Sequence, residues 1–381
     1  TVRWNIVRHF YPYYEEDSLD WDNRLERYMQ KAVQMAGINT FESLVEWYDT
    51  LCRFMNLVKD GHMFVRRDMN VSGIMSTYLP EFYAEAETKV VNDTLLVRMG
   101  TDGRQPWRIL NAVNGQQASE RLRYCRQITN AATEVHRDKM AAEKMLSSAE
   151  YGTPFVIQTV DVSGQIHEDT LYAQSQNIKK VEKDRQPVRK LENGILYVDA
   201  TSRELNEKLF LSALTPDVRG LCFDLRGLPT YQFEDILAHL IAADAKAPAT
   251  EVAINNFPYQ QNVTWRVDSE TLKTRQPHIA LPATFLCDGA TVSWGETILM
   301  MVRHYKLGKI AGQTTAGTTG DMTQFLLPLF PFSMTGMLMR CMDGEPHHAR
   351  GIKPDITIPV YATDYINGYD RVLNVALGMD E

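Results

Sequence analysis

From about residue 190 onward, short apolar runs alternate with stretches whose apolar residues recur at helical spacing. That alternation constrains the fold more than any other feature of the chain. Gly194-Ile195-Leu196-Tyr197-Val198-Asp199, Gly220-Leu221-Cys222-Phe223-Asp224, Ala283-Thr284-Phe285-Leu286-Cys287 and Lys309-Ile310-Ala311-Gly312 read as short buried strands. Between them, Thr201 to Leu214, Phe233 to Asp244 and Ser293 to His304 read as helices. The first of these opens on a capping box of its own, Thr201 with Glu204. Strands alternating with helices predict a mostly parallel central sheet. Ligands of such sheets bind beyond the carboxyl ends of the strands. Asp224-Leu225-Arg226-Gly227 and Gly289 to Ser293 both lie at such ends.

The second of these loops places a serine at a strand-to-helix turn. A hydroxyl there meets free backbone N–H groups and the positive end of the helix dipole, which favour developing negative charge. Ser293 is therefore a candidate nucleophile. The same four residues also admit a structural reading, because Ser293 and Glu296 fit a capping box in which each satisfies the other's orphan amide. Thr291 stands where the nucleophile elbow of the hydrolases has its first glycine, so the local motif alone does not decide.

The remainder of the chain has a different pattern. Residues 1 to about 68 read as mostly helical, with helices over Asn23 to Gly37 and Thr40 to Val58. An aromatic knot at Phe10-Tyr11-Pro12-Tyr13-Tyr14, followed by Trp21, predicts packing. Lys59-Asp60-Gly61-His62 breaks the helix and enters a short strand, Met63-Phe64-Val65. From about 70 to 175 the pattern is that of a small β-rich module. Its strands fall at Thr88 to Val91, Leu95 to Met99, Arg108 to Val113 and Phe155 to Val160, and its helices at Gln117 to Arg126 and Thr133 to Ser147. Polar Gln174 to Arg189 reads as a linker or exposed excursion, with Lys179, Lys180 and Lys183 forming a solvated charged loop.

Composition narrows the functional classes. At 381 residues with 44% hydrophobic and 23% charged residues, the chain can bury a large core without disulfide or metal staples. A net charge of −8 with no basic cluster argues against a nucleic-acid partner. No run of about 20 apolar residues predicts a transmembrane helix. Five scattered cysteines without a C-x-x-C argue against a disulfide framework or a zinc ribbon, and Cys222 and Cys287 read as core residues. His347-His348 has no third ligand at metal-like spacing, so no metal or other cofactor is expected. The start, Thr-Val-Arg-Trp, looks like a trimmed or mature fragment whose targeting segment is gone.

The order of the motifs is more specific than any one of them. Asp60-Gly61-His62 is followed by Leu110-Asn111-Ala112-Val113-Asn114-Gly115, then Gly194 to Asp199, Gly220 to Gly227 and Asp288 to Glu296. Gly312-Gln313-Thr314-Thr315-Ala316-Gly317 and Gly351-Ile352-Lys353-Pro354-Asp355-Ile356 complete the series. From about Trp4 to Val360 this succession resembles the tail-specific (C-terminal processing) and tricorn-type serine peptidases. The resemblance implies an α/β multidomain protein with a helical N-terminal region over 1–70 and a small PDZ-like β-rich domain over 71–178. It also implies an α/β catalytic domain over 186–381, its mostly parallel sheet of the ClpP/crotonase-like kind.

It further implies a nucleophile at Ser293, oxyanion donors at the Trp294 amide and near Gly227, and Glu296 capping the helix that presents the serine. Asp224 and Arg226 would brace the loop. The lysine of the tail-specific branch falls at Thr318, which cannot take a proton, and the sequence there looks like the tricorn-type branch, whose base is a histidine. His62 fits that role, although Gly61 stands where the tricorn protease has an orienting serine. The acid of the set falls near His347-His348-Ala349-Arg350, with Glu345 and Asp343 as alternatives; Glu345 is the choice carried forward. The resemblance thus implies an endopeptidase acting on polypeptides, in a bacterial envelope or secreted setting. A peptide- or ligand-binding relative with weak or lost chemistry is the alternative, and a non-peptide acyl hydrolase a third.

Overall fold

In the computed structural model the described residues are 1–17, 20–35, 40–67, 79–100, 103–176, 186–254, 257–327 and 330–379. Lys179, Lys180 and Lys183 and the middle of the expected linker lie outside them. The helices are α1 (Val2–Phe10), α2 (Asp22–Met35), α3 (Phe41–Met55), α4 (Ala118–Gln127), α5 (Glu134–Glu143), α6 (Glu207–Ala213), α7 (Phe233–Leu237), α8 (Trp294–Tyr305), α9 (Ala362–Ile366) and α10 (Arg371–Ala376).

The C-terminal half is built on a six-stranded sheet in the order Val188–Lys190, Ile195–Asp199, Gly220–Asp224, Ala283–Cys287, Lys309–Gly312, Ile356–Thr357. The first pair is antiparallel and the other pairs are parallel. The central strands are apolar on both faces because both faces are covered. Phe223 and Phe285 face α6, α7 and α8, where Phe210, Phe233 and Ile298 to Val302 close the core. Tyr197, Cys222, Leu286 and Ala311 face the other way, onto Val372 and Leu373 of α10 and onto Leu96 and Trp107 of the β-rich module.

Helices α6 and α7 differ from the sequence expectation for identifiable reasons, and α5 ends at Glu143 instead of Ser147. Helix α6 starts at Glu207, capped by Asn206, whose side chain accepts Leu209 N–H at 3.0 Å. Thr201 instead bonds Asp199 Oδ1 through its N–H and hydroxyl, at 3.0 and 2.7 Å, and closes a turn. Helix α7 ends at Leu237 rather than near Asp244. The carbonyls of Ala238 and His239 are taken by the amides of Arg275 and Ile279, at 3.0 and 2.8 Å, so the helix does not continue.

The β-rich module is an antiparallel sheet with Ala86–Val91, Thr94–Met99, Arg108–Val113, Pro154–Val160 and Ile166–Tyr172 in spatial order. Helices α4 and α5 cover one face through Leu122, Cys125 and Ala141. The sequence did not mark the Ile166–Tyr172 strand. It is a polar edge strand whose residues alternate between exposed and half-buried, so it carries no apolar signal.

The N-terminal helices do not form a separate unit. Tyr11, Tyr13 and Trp21 are fully buried and share a core with Met55, Val65, Phe330, Phe332 and Met334. The strand Phe64–Val65 pairs with Phe332–Thr335, setting Phe64 opposite Ser333. This pairing carries the segment just before residue 64 to the carboxyl-end side of the main sheet.

If the N-terminal helices are part of one cooperative core, Trp21→Ala, which removes a ring stacked 4.4 Å from Phe54, is expected to destabilise the whole chain. The loss should be about 3–5 kcal/mol, read as a lower denaturant midpoint in one transition. An unchanged midpoint for the rest of the chain would show that these helices fold independently.

Candidate active site

The strand Ala283–Cys287 ends in a tight turn and delivers Ser293 to the start of α8. Asp288 organises the turn, its Oδ1 accepting Ala290 N–H at 2.7 Å and its carbonyl accepting Thr291 N–H at 2.9 Å. Thr291 ties the turn to the neighbouring loop by donating its hydroxyl to Leu225 O at 2.6 Å. Ser293 itself sits at φ 55°, ψ −120°, a conformation that is costly for a residue with a Cβ. Its N–H is held by Thr318 O at 2.8 Å. Its carbonyl accepts the amides of Glu296 and Thr297 and the hydroxyl of Thr319.

The capping box does not form. Ser293 makes no side-chain cap bond, and the Glu296 carboxylate turns away from the helix start. Fully buried, it accepts the Thr315 hydroxyl, the Gly317 N–H at 2.8 Å and the Thr318 N–H at 2.8 Å. His347 Nε2 lies 3.0 Å from its Oε1. Burial alone would raise this carboxyl. The charge of His347 and the converging donors outweigh it and hold the group below the ordinary carboxylate range. Glu296 therefore braces the loop 315–318 instead of capping α8.

Thr318, at the expected lysine position, is the centre of the arrangement. It is fully buried and uses every backbone polar group: N–H to Glu296, O from Ser293. Its Oγ1 accepts Gly61 N–H at 2.9 Å. The segment carrying His62 and the segment carrying Ser293 are thus bonded to one residue. A Cβ at position 61 would stand 2.9 Å from Thr318 Oγ1; the threonine hydroxyl fills the space that a side chain at 61 would take.

His62 is oriented by residues that the sequence reading did not assign. Asp60, fully buried, accepts His62 N–H, Thr335 N–H and the Thr335 hydroxyl, each at 2.8 Å. Thr335 Oγ1 also lies 3.2 Å from His62 Nδ1. Because the hydroxyl proton is directed to a carboxylate, Oγ1 is the acceptor toward the ring, so Nδ1 carries hydrogen and Nε2 carries the lone pair. Burial lowers the His62 pKa below its ordinary value, opposed only in part by Asp60 and Glu296. No direct hydrogen bond joins His62 to Ser293 Oγ. Asp60 stood two residues from His62 in the motif and could have been proposed from it. Thr335 had no sequence signal, since its role depends on the pairing of strands about 270 residues apart.

The oxyanion side is also altered. The Trp294 N–H, first of α8, takes no partner among the described residues. Gly227, the expected second donor, spends its N–H on Leu225 O at 2.7 Å in a tight turn, and the next N–H, that of Leu228, takes no partner among the described residues. The loop lies against the start of α8: Pro229 Cδ is 3.1 Å from where a Cβ of residue 295 would sit. Asp224 and Arg226 brace this loop from behind. Arg226 bonds both carboxylate oxygens of Asp224 and both of Asp370, the cap of α10.

Glu345 does not join the group. It is exposed in a turn, its N–H bonded to Asp343 Oδ1, and no hydrogen bond or ion pair connects it to His62. The position before Gly351 is used instead by His347, against Glu296, and by His348, which stacks on Tyr13 at 3.8 Å and meets Tyr11 Oη at 2.7 Å. Among the described residues no group of three His, Cys, Asp or Glu could hold a metal ion, and no helix is long and apolar enough to cross a membrane.

Residues 199–358 match the sequence profile of peptidase family S41. No curated protein matches the chain. Among solved structures, mature CPAF is similar with a TM-score of 0.70 at 12% identity, over 96% of this chain and 92% of that one. A protein from Parabacteroides merdae ATCC 43184 gives 0.57 at 15% identity, over 99% and 93%. The photosystem II D1 C-terminal processing protease gives 0.50 at 13%, over 93% and 91%. The resemblance to tail-specific, C-terminal processing peptidases therefore stands, with family S41 covering the α/β segment. The family match supports a peptidase function.

The packing of Gly61 on Thr318 makes a sharp expectation. Gly61→Ala should displace His62 and lower turnover about 10- to 100-fold, whereas adding Thr318→Ala to it should recover part of the loss by vacating the space. Steady-state rates of the two single variants and the double variant form the test, and strict additivity would show that the two sites are independent.

Proposed function

We propose that this chain is a serine endopeptidase of the histidine-based, tricorn-like kind, with Ser293 as nucleophile and His62 as general base. The observation that carries the reading is the suspension of both segments on Thr318, together with the tautomer that the Asp60–Thr335 pair imposes on His62. In this reading His62 Nε2 takes the Ser293 proton as Oγ attacks the scissile carbonyl, and returns it to the leaving amine. The charge that develops on the ring stays on the imidazolium and is stabilised by the bond from Nδ1–H to Thr335 Oγ1, which is polarised by its own bond to Asp60. The amides of Trp294 and Leu228 hold the oxyanion. A water then releases the acyl group by the same steps reversed.

Catalytic hydrogen bonds of resting enzymes are often long and tighten with substrate, so a Ser293–His62 bond formed on binding fits this scheme. Residues 71–178 act as a PDZ-like domain that holds an extended stretch of the polypeptide substrate, beside a ClpP/crotonase-like catalytic domain at 186–381. A cell-envelope or secreted location in a bacterium goes with the resemblance. One observation favours a second reading, a weak or inactive peptide-binding relative: the Gly227 N–H is spent on Leu225 O, which leaves Trp294 as the one expected oxyanion donor without a partner among the described residues.

A fluorophosphonate probe separates the readings. Wild type is expected to be labelled and Ser293→Ala not at all; a folded but unlabelled wild type would favour the binder.

The base has its own signature. With His62 depressed by burial, kcat/KM should be full at neutral pH and fall as pH drops through a midpoint below about 6.5. Thr335→Val removes the acceptor of Nδ1–H, and kcat should drop about 10- to 100-fold with KM little changed. A Thr335→Val enzyme with wild-type kcat across the pH range would sink the relay.

A further inference from the structure

The first turn of α5 belongs to the β-rich module in sequence, yet it is wedged between the two loops that build the proposed active site. Thr133 caps α5, accepting His136 N–H, and its hydroxyl also reaches Ala316 O at 3.0 Å. Its methyl lies 2.8 Å from where a Cβ of residue 317 would stand. Three residues on, His136 is buried, and its Nδ1 lies 2.8 Å from Gly289 O, in the turn that delivers Ser293. The Val135 backbone is packed 3.0 Å from the Cβ position of Gly289. His136 Cδ2 also lies 3.4 Å from the Cβ position of Gly61, next to His62. One helical turn thus touches the nucleophile turn, the Thr318 loop and the histidine segment together.

A carbonyl oxygen can only accept, so Nδ1 of His136 is the protonated nitrogen and the bond to Gly289 O is a donated one. Burial holds this imidazole in its neutral form, its pKa pushed below the ordinary value despite the bond to Gly289. Gly289 is followed by a turn that ends in a strained serine, and such a turn keeps its geometry only where its surroundings over-determine it.

We infer that His136 is a positioning residue of the active site, supplied by the β-rich module, which holds the Ser293 turn through Gly289 O. The inference rests on Ser293 being the nucleophile. Thr133 does the same for the 315–318 loop through Ala316 O. Neither residue is required to touch substrate. The module is therefore a structural part of the catalytic centre in addition to any peptide it holds.

The test compares fluorophosphonate labelling rates of the full chain in wild type, His136→Phe, His136→Asn and Thr133→Val, from pH 5 to 9, with thermal unfolding as a check on folding. Asparagine can place an N–H where Nδ1–H stands, and phenylalanine fills the volume without a donor. Labelling of His136→Phe should be about 10- to 100-fold slower at every pH, while His136→Asn should stay within about threefold of wild type. Thr133→Val, a milder change, should slow labelling as well and keeps the test open if His136→Phe does not fold. Wild-type rates in His136→Phe and Thr133→Val would overturn the inference. So would an asparagine variant as slow as the phenylalanine one with the acid limb lost in both, since His136 would then titrate as a base. A wild type that is not labelled at all would remove the serine reading itself, a result distinct from either of these.

Discussion

A single buried carboxylate organises everything around it. Glu296 lies in the first turn of α8 with no exposure and gathers two backbone amides, a hydroxyl and the imidazole of His347. An uncompensated charge at that depth would cost several kcal/mol, and removing one partner of such a pair typically costs about 3–5 kcal/mol. The loop 315–318 therefore has one low-energy place to be. Because that loop contains Thr318, the position of the carboxylate also fixes where Ser293 N–H and Gly61 N–H can bond. The acid in the first turn after Ser293 acts on the loop that carries Thr318 and does not cap the serine's own helix.

Ser293 stores strain that the rest of the fold offsets. Its backbone lies outside the favoured regions for a non-glycine residue, worth about 1–3 kcal/mol. It is held from both sides, by Thr318 O on its amide and by Thr319 and the α8 amides on its carbonyl. The turn before it is fixed to the Leu225 carbonyl by Thr291 and to the β-rich module by His136. With no cap bond consuming it, the hydroxyl at the helix N-terminus stands beside a Trp294 amide that has no partner among the described residues.

The strands of the α/β half were legible because a strand buried on both faces is an apolar run, and Gly220–Asp224 or Ala283–Cys287 cannot be mistaken for a surface element. Helix limits were less legible: Thr201 and Glu204 have the composition of a capping box, but Asp199 competes for the threonine and Asn206 caps instead. Ser293 and His62 were singled out from the order of motifs, and their segments meet on Thr318. The function of Glu296 was not legible, since a glutamate three residues after a serine looks the same whether it caps its own helix or binds amides 21 and 22 residues away. Glu345 failed for a related reason. Sequence proximity to a motif says nothing about which side of a turn faces the histidine, and Thr335 reaches that place through strand pairing. His136 was passed over because its partners lie about 150 residues downstream.

The identity of residue 318 shows how these constraints combine. A lysine base requires a long side chain with its amine free to approach the serine. Here the residue donates to Glu296, accepts from Ser293 and, through a β-hydroxyl, accepts from Gly61, whose lack of a side chain leaves room for that hydroxyl. A lysine at this point has no acceptor to offer Gly61 N–H and would push its stem into the space that the glycine leaves. Gly61 and Thr318 are thus a matched pair. The absent serine before His62 and the absent lysine after Ser293 are one arrangement seen from two places in the sequence. In the proposed mechanism, with the lysine route closed by packing, proton transfer from Ser293 falls to the imidazole whose lone pair Asp60 and Thr335 direct.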